Sequence, residues 1–137
     1  MTTPDPRNQK PPHVREEFPL SDITGRIIAA AQEVHRNLGP GYEEVFYQRA
    51  LALELSGKGL EFNREVWIEV FYKGMKLGKK RVDFIIEGVM VEIKAKKAMD
   101  EVDFMQTLSY LKASRFEIGL LLNYGSRSLE IRRLINS

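Results

Sequence analysis

Two carboxylates, Asp83 and Glu92, lie on either side of a short turn sequence and are spaced so that they could act on one ligand. The dipeptide Glu87-Gly88 between them fits the two-residue loop of a β-hairpin. In the register that such a loop sets, the two acidic residues face each other with Cβ atoms roughly 5 Å apart, which is unfavourable unless a cation offsets the repulsion. Mg²⁺ typically takes one or two carboxylates and completes its octahedron with water and phosphate oxygens. The spacing therefore indicates a divalent-metal site.

A lysine, Lys94, follows Glu92 by two residues and so lies on the same face of the predicted strand. From there its ammonium group can orient a metal-bound water, take up its proton, or stabilise the negative charge that develops on a phosphate. A second interpretation stays open on spacing alone. The same carboxylates, with Arg81 and Lys94, would also make ordinary cross-strand ion pairs on a solvated face.

The opposite face of the hairpin is wholly apolar, and this fixes the register, since a slip of one residue would put the whole set into solvent. Its predicted cross-strand pairs are Ile86 with Val89, Phe84 with Val91 and Val82 with Ile93. We expect all of these side chains in the core. The pairs predicted on the other face are Ile85 with Met90, Asp83 with Glu92 and Arg81 with Lys94.

Periodicity and turn signals predict the elements that hold this hairpin. They indicate a first helix that Ser21 caps and that ends at Leu38, a second at 42–56, and a third that Asp100 caps and that runs to Ala113. The predicted strands are 62–72, 75–86, 89–96, 118–122 and 129–134. A helix between the third and fourth strands permits a right-handed crossover to a parallel neighbour. The expected fold class is therefore α/β, with a mixed central β-sheet flanked by helices.

Composition limits the class of protein. With 137 residues, of which 43% are hydrophobic, the chain suits one domain, expected at 19–137 after a flexible, proline-broken arm at 1–18. Charged residues make up 29% of the chain and nearly cancel to a net charge of +2, so a nucleic-acid partner must be argued from where basic residues lie. The absence of cysteine excludes thiolate metal sites, and no apolar run is long enough to span a membrane. We expect a soluble, cytoplasmic protein.

Two motifs, in this order, resemble those of a known group of nucleases. The segment 41–47, Gly-Tyr-Glu-Glu-Val-Phe-Tyr, resembles the motif after which the bacterial GxxExxY protein family is named. Asp83 followed by Glu92-Ile93-Lys94 resembles the signature of the PD-(D/E)xK nuclease superfamily, to which that family is assigned, with Val82 in place of the proline. The similarity runs from about Ile23 to the C-terminus. It implies a restriction-endonuclease-like αβββαβ core preceded by an extra N-terminal helix.

The resemblance also implies roles for individual residues. Asp83, Glu92 and the backbone carbonyl of Ile93 would be ligands of Mg²⁺, with Mn²⁺ accepted in its place. Lys94 would be the signature lysine. Glu44 matches the helical glutamate that approaches the metal directly or through water, and the alternative is an acid favoured by the N-terminal end of its helix.

Further residues are candidates for contact with the substrate. Gln106 and Tyr110 are one helical turn apart and resemble the Q-x-x-x-Y element of the RecB-like branch, which contacts substrate. Tyr47 is explained as well by the core as by the site, and His35 fits a structural role in the first helix. Basic residues near the site would hold phosphates, and the alternative is that they form a solubilising rim. They are Lys79, Lys80, Arg81, Lys94, Lys96 and Lys97. We expect Arg81 and Lys96 among them to contact the substrate.

These features predict a Mg²⁺-dependent nuclease that hydrolyses phosphodiester bonds of nucleic acid, with DNA favoured over RNA. The alternative from another class is a catalytically silent nucleic-acid-binding or accessory module with the same fold, against which the intact Asp83, Glu92 and Lys94 argue. A third possibility is metal-dependent chemistry on a small phosphorylated molecule. A closed pocket would favour that third function, and an open basic surface would favour a polymer.

Overall fold

Two helices open the part of the chain that the computed structural model describes, residues 21–136. Helix α1 (Ser21–Leu38) ends at Gly39, which takes φ +67 while its N–H donates to the carbonyl of His35 at 2.8 Å. Helix α2 (Glu44–Gly57) begins two residues later than predicted, because Glu43 is extended at φ −72 and ψ 158. The arm predicted at 1–18 lies outside the described residues.

A five-stranded mixed sheet follows, in the order β1-β2-β3-β4-β5. The strands are β1 (Phe62–Tyr72), β2 (Met75–Ile86), β3 (Val89–Lys94), β4 (Ile118–Asn123) and β5 (Glu130–Ile135). Neighbours are antiparallel except β3 and β4, which are parallel and joined through helix α3 (Glu101–Ala113). The predicted α/β class and the predicted order of elements are confirmed.

Side-chain caps set the two ends of the crossover from β3 to α3. β3 ends at Lys94, two residues earlier than predicted, because the backbone of Lys96 bonds to a side chain instead of a neighbouring strand. The Asn123 Oδ1 accepts from the Lys96 N–H at 2.8 Å, and the Asn123 Nδ2 donates to the Lys96 carbonyl at 2.9 Å. The predicted cap Asp100 accepts from the Asp103 N–H at 3.0 Å, and the Asp103 carboxylate accepts from the Asp100 N–H at 3.2 Å. The chain after Lys94 is therefore fixed to the end of the sheet.

Helices cover both faces of the sheet, and each face has its own apolar core. The α1–α2 core includes Ile27, Tyr47, Leu51, Phe84, Val91 and Leu122. The smaller α3 core includes Val82, Met90, Leu111, Leu121 and Leu134. Among the described residues, no helix is long and apolar enough to cross a membrane.

The long β1–β2 hairpin changes sides between its base and its tip. In a regular strand, residues two apart point to the same face, so Val82 and Phe84 should share one core. Instead, Phe84 is buried in the α1–α2 core and Val82 in the α3 core, where Val66 of β1 also packs. The change falls at Asp83 and across from it at Glu65, which has φ +53 within a strand. The predicted burial of the alternating apolar set is confirmed, but its predicted placement on a single face is wrong.

Candidate active site

Strands β2 and β3 separate where the two predicted carboxylates lie. Their ladder holds the predicted register as far as Phe84 and Val91 and then ends. The predicted backbone pairing of Asp83 with Glu92, and the two pairs predicted beyond it, are therefore wrong. The physical reason is the change of side at Asp83, which turns the backbone of β2 away from its neighbour.

Each carboxylate instead bonds to the backbone of the other strand. Asp83 Oδ2 accepts from the Ile93 N–H at 2.7 Å, and Glu92 Oε1 accepts from the Asp83 N–H at 2.8 Å. Asp83 is half-buried, and Glu92 is only 8% exposed. The two carboxylates thus come together in the gap between the strands, through side-chain bonds and not through strand pairing.

Helix α2 supplies a third contact to this pair. Gln48 Nε2 donates to Asp83 Oδ1 at 3.1 Å, and the Arg64 guanidinium donates to Gln48 Oε1 at 3.4 Å while it lies 5.7 Å from the centre of the Phe84 ring. Asp83 is therefore held from α2 as well as from β3. Gln48 was not among the predicted site residues, although it follows Glu44 by four residues and so shares its helix face.

Burial raises the pKa values of both acidic residues, and the charge of Asp83 adds to the rise for Glu92. Burial is the larger cause for Glu92 and the Asp83 carboxylate the second, and they bring the pKa of Glu92 to about 7 although Lys94 and Lys80 oppose them. Burial also raises the pKa of Asp83, although its backbone hydrogen bond, Lys94 and Arg81 act to lower it. The described side chains therefore leave part of the negative charge of the pair uncompensated.

Glu44 and Lys94 lie within electrostatic reach of the pair. Glu44 is exposed overall, but its surroundings desolvate the carboxylate and raise its pKa; Lys94 opposes this rise, and Asp83 and Asp103 add to it. Lys94 is half-buried, and its charge acts on all three predicted carboxylates. The four residues predicted as catalytic, which come from α2, β2 and β3, are thus brought to one place.

The two residues predicted to hold phosphates, Arg81 and Lys96, both have acidic partners. Arg81 is exposed, with Nη1 4.0 Å from the carboxylate of Glu65. The Lys96 ammonium lies 2.7 Å from Asp103 and 3.2 Å from Asp100, and it ties the chain after β3 to the start of α3. Arg81 is open to a phosphate, whereas Lys96 would first have to give up two short ion pairs.

The candidates on α3 differ in exposure and in their contacts. Gln106 is exposed, whereas Tyr110 is half-buried with the Lys80 ammonium 5.1 Å from its ring centre. Lys80 in turn acts electrostatically on Glu92, so Tyr110 borders the site through this lysine. Of the other basic candidates, Lys79 and Lys97 are exposed.

Tyr47 and His35 take part in the packing of the helices. Tyr47 is fully buried, its ring stacks on Tyr124 with 4.6 Å between centres, and its hydroxyl donates to the Gly39 carbonyl at 2.6 Å. His35 Nε2 lies 3.0 Å from the Ser126 carbonyl oxygen. The structure therefore places Tyr47 in the core, where it holds the loop between α1 and α2.

The donor set at the acidic pair fits a hard divalent cation. Among residues 21–136, no group of three or more His, Cys, Asp or Glu side chains forms a metal site by itself. Asp83 and Glu92 nevertheless keep oxygen lone pairs beyond those used in their hydrogen bonds, and Glu92 Oε2 accepts none from the described residues. Mg²⁺ is usually bound through one or two carboxylates and retains several waters, so a set of this size suits it.

Comparison with models of protein families decides which family this fold and site belong to. The model described as the PD-(D/E)XK nuclease superfamily matches residues 21–134. The chain belongs to the PD-(D/E)XK nuclease superfamily. The matched range contains Asp83, Glu92 and Lys94.

A solved structure shares the fold of this PD-(D/E)XK chain. The crystal structure of SSO0001 aligns with a TM-score of 0.51 at 20% sequence identity, over 66% of this chain and 48% of SSO0001. At that identity the likeness concerns the fold, which is restriction-endonuclease-like, and this chain matches about half the length of SSO0001. No match was found among curated proteins.

Proposed function

We propose that this chain is a Mg²⁺-dependent nuclease of the GxxExxY group that hydrolyses phosphodiester bonds in DNA. The observation that carries the proposal is the contact of Asp83 and Glu92 across the gap between β2 and β3, beside Lys94. Two desolvated carboxylates whose charges act on each other are unfavourable in the protein alone, and such pairs concentrate at functional sites. Membership of the PD-(D/E)XK nuclease superfamily supports the same function.

Some residues at the acidic pair would hold the metal ion, and Lys94 would act on the attacking water. Asp83, Glu92 and the Ile93 carbonyl would hold Mg²⁺ or Mn²⁺, which when bound polarises a phosphate and lowers the pKa of a water. Gln48 keeps the Asp83 carboxylate in position from α2. The Lys94 ammonium orients the attacking water, or its neutral form receives the proton at Nζ. Glu44 adds a carboxylate that reaches the same place directly or through water.

The basic surroundings of the pair suit a polymer. Lys80 and Arg81 are exposed, and their charges act on Glu92 and Asp83 respectively. Exposed cations beside the reacting groups can bind successive phosphates without reading the sequence of the bases. This arrangement favours a nucleic-acid chain over a small phosphorylated molecule held in a closed pocket.

Cleavage of labelled single- and double-stranded DNA and RNA by the purified protein tests the proposal. DNA should be cut with Mg²⁺ or Mn²⁺ and left intact with EDTA. Asp83→Asn and Lys94→Ala should each lose at least about a hundredfold in rate. Lys94→Arg should not restore it, because guanidinium keeps the charge but cannot take a proton at neutral pH. Lys112→Ala, which changes an exposed lysine at the end of α3, is the matched control and should keep full activity.

Calorimetry separates the loss of metal from the loss of chemistry. Asp83→Asn and Glu92→Gln should abolish Mn²⁺ binding, Glu44→Gln should weaken it less, and Lys94→Ala should leave it nearly unchanged. Wild-type protein that binds DNA but cuts none of the substrates with either metal would disprove the nuclease and favour the accessory module.

A further inference from the structure

The outer part of the β1–β2 hairpin, residues 67–81, is a ribbon with strong positive charge. It carries five lysine or arginine side chains against the single carboxylate of Glu69, a formal charge of +4 compared with +2 for the whole chain. That carboxylate is itself paired with Lys76 at 3.3 Å. The ribbon therefore presents a local surface that attracts a polyanion.

Large apolar side chains are also concentrated on this ribbon. Trp67 is 59% exposed, Phe71 54% and Tyr72 58%, and Met75 and Leu77 near the turn are more exposed still. They make up five of the twelve large hydrophobic side chains that are exposed in the described part of the chain. Exposed apolar side chains gathered on one element commonly mark a binding surface.

The ribbon is continuous with the acidic pair. Trp67 is the cross-strand partner of Arg81, whose guanidinium lies 5.7 Å from the centre of the indole ring. Arg81 precedes Asp83 by two residues, and its charge acts on the Asp83 carboxylate. Lys79 lies two residues from Arg81 toward the tip of the hairpin, on the same face of the strand. A chain that passes the acidic pair therefore meets a flat ring and two cations next.

We infer that this face of the ribbon binds single-stranded DNA, with a base stacked on Trp67 and phosphates paired with Arg81 and Lys79. The inference rests on the proposed function and names the form of its substrate. Unpaired bases have open faces that stack on aromatic side chains, and each nucleotide brings a phosphate to the basic groups. The bases of a duplex are already stacked on each other, so a duplex would use the cations and leave the indole without a stacked base.

Trp67 provides its own reporter, because it is the only tryptophan of the chain. We would titrate oligo(dT) of about 15 nucleotides into the wild type in EDTA and follow tryptophan fluorescence together with the anisotropy of the labelled oligonucleotide. Binding should quench the tryptophan, and Trp67→Ala should weaken binding of the oligonucleotide roughly 5- to 100-fold while changing duplex binding less than about twofold. Leu53→Ala, which removes an exposed apolar side chain on α2, should change neither.

Three results would overturn the inference: unchanged oligonucleotide binding by Trp67→Ala, an equal loss for duplex, or a tryptophan signal that depends on protein concentration without DNA. The last would assign the ribbon to contact between two copies of the chain. Because Trp67 is exposed, Trp67→Ala should keep the fold, which circular dichroism checks. The assay needs no turnover, so its result is independent of cleavage. A protein that fails to cut DNA can still show that the ribbon binds single-stranded DNA, and an active nuclease can still show that it does not.

Discussion

Glu92→Gln should raise the stability of the metal-free protein, although it changes a buried residue of the site. Glutamine has the shape of glutamate, and its Oε1 can still accept the Asp83 N–H that lies 2.8 Å from Glu92 Oε1. The substitution removes only the negative charge, which in Glu92 is buried and faces the Asp83 carboxylate. Loss of that charge relieves both the desolvation and the repulsion.

The pKa of Glu92, about 7 against 4.5 for an unperturbed glutamate, sets the size and sign of the effect. A raised pKa means that ionisation costs more in the folded chain than in the unfolded chain, by about 1.4 kcal/mol for each pH unit between the two values. The stability that the protonated group contributes is fully present below pH 4.5 and is lost as the pH rises through 7. We therefore expect Glu92→Gln to gain about 3 kcal/mol at pH 8 and almost nothing at pH 4.

Thermal unfolding in EDTA between these pH values measures the effect, with Tm expected to rise by roughly 10–15 °C at pH 8. Excess Mn²⁺ should then stabilise the wild type and not the variant, because only the wild type keeps both carboxylates. Glu117→Gln changes an exposed carboxylate and should leave Tm unchanged at either pH. A lower Tm for Glu92→Gln at pH 8, or a gain that does not vary with pH, would refute the electrostatic argument.

Four further substitutions test the packing around the site. Gln48→Ala should weaken Mn²⁺ binding about tenfold in calorimetry and leave the fold intact, since Asp83 loses its bond to α2; unchanged affinity would contradict this role. Tyr124→Phe should leave the free energy of unfolding in urea unchanged or raise it by about 1 kcal/mol, because the buried hydroxyl has no partner among the described residues, whereas Tyr47→Phe loses two hydrogen bonds and should cost about 1–2 kcal/mol. Gly125→Ala should cost more than about 2 kcal/mol in the same assay, because a Cβ there would collide with the backbone of Lys96; wild-type stability would show that this segment can move.

The register of the β2–β3 hairpin could be predicted because two local signals agreed. Glu87 and Gly88 both take positive φ, +48 and +84, as a tight two-residue loop requires. The alternating apolar residues then admitted only one register for the pairs nearest the turn. The meeting of Asp83 with Glu92 followed from the same two signals, although the backbone pairing predicted at that point does not form.

The change of side at Asp83 could not be predicted, because it leaves no trace in the hydropathy pattern. Val82 and Phe84 are both fully buried, so the alternation looks the same whether the two side chains enter one core or two. Only the positions of α1–α2 on one face and α3 on the other decide which core each residue joins. Gln48 was missed for a similar reason. The sequence predicts which face of α2 carries Gln48, but it does not predict that this face packs against Asp83 of β2.

Because the β1–β2 hairpin crosses from one core to the other, its outer part is held separately from the base that carries Asp83. Gln48 and the Ile93 N–H, which hold Asp83, both act at the base of the hairpin. Beyond Val66 and Val82 the strands are held by their own ladder and by the α3 core. One cross-strand pair added or removed in that outer part would change how far the ribbon extends and leave the carboxylates where they are. The length of the hairpin can therefore change in evolution without moving the acidic pair.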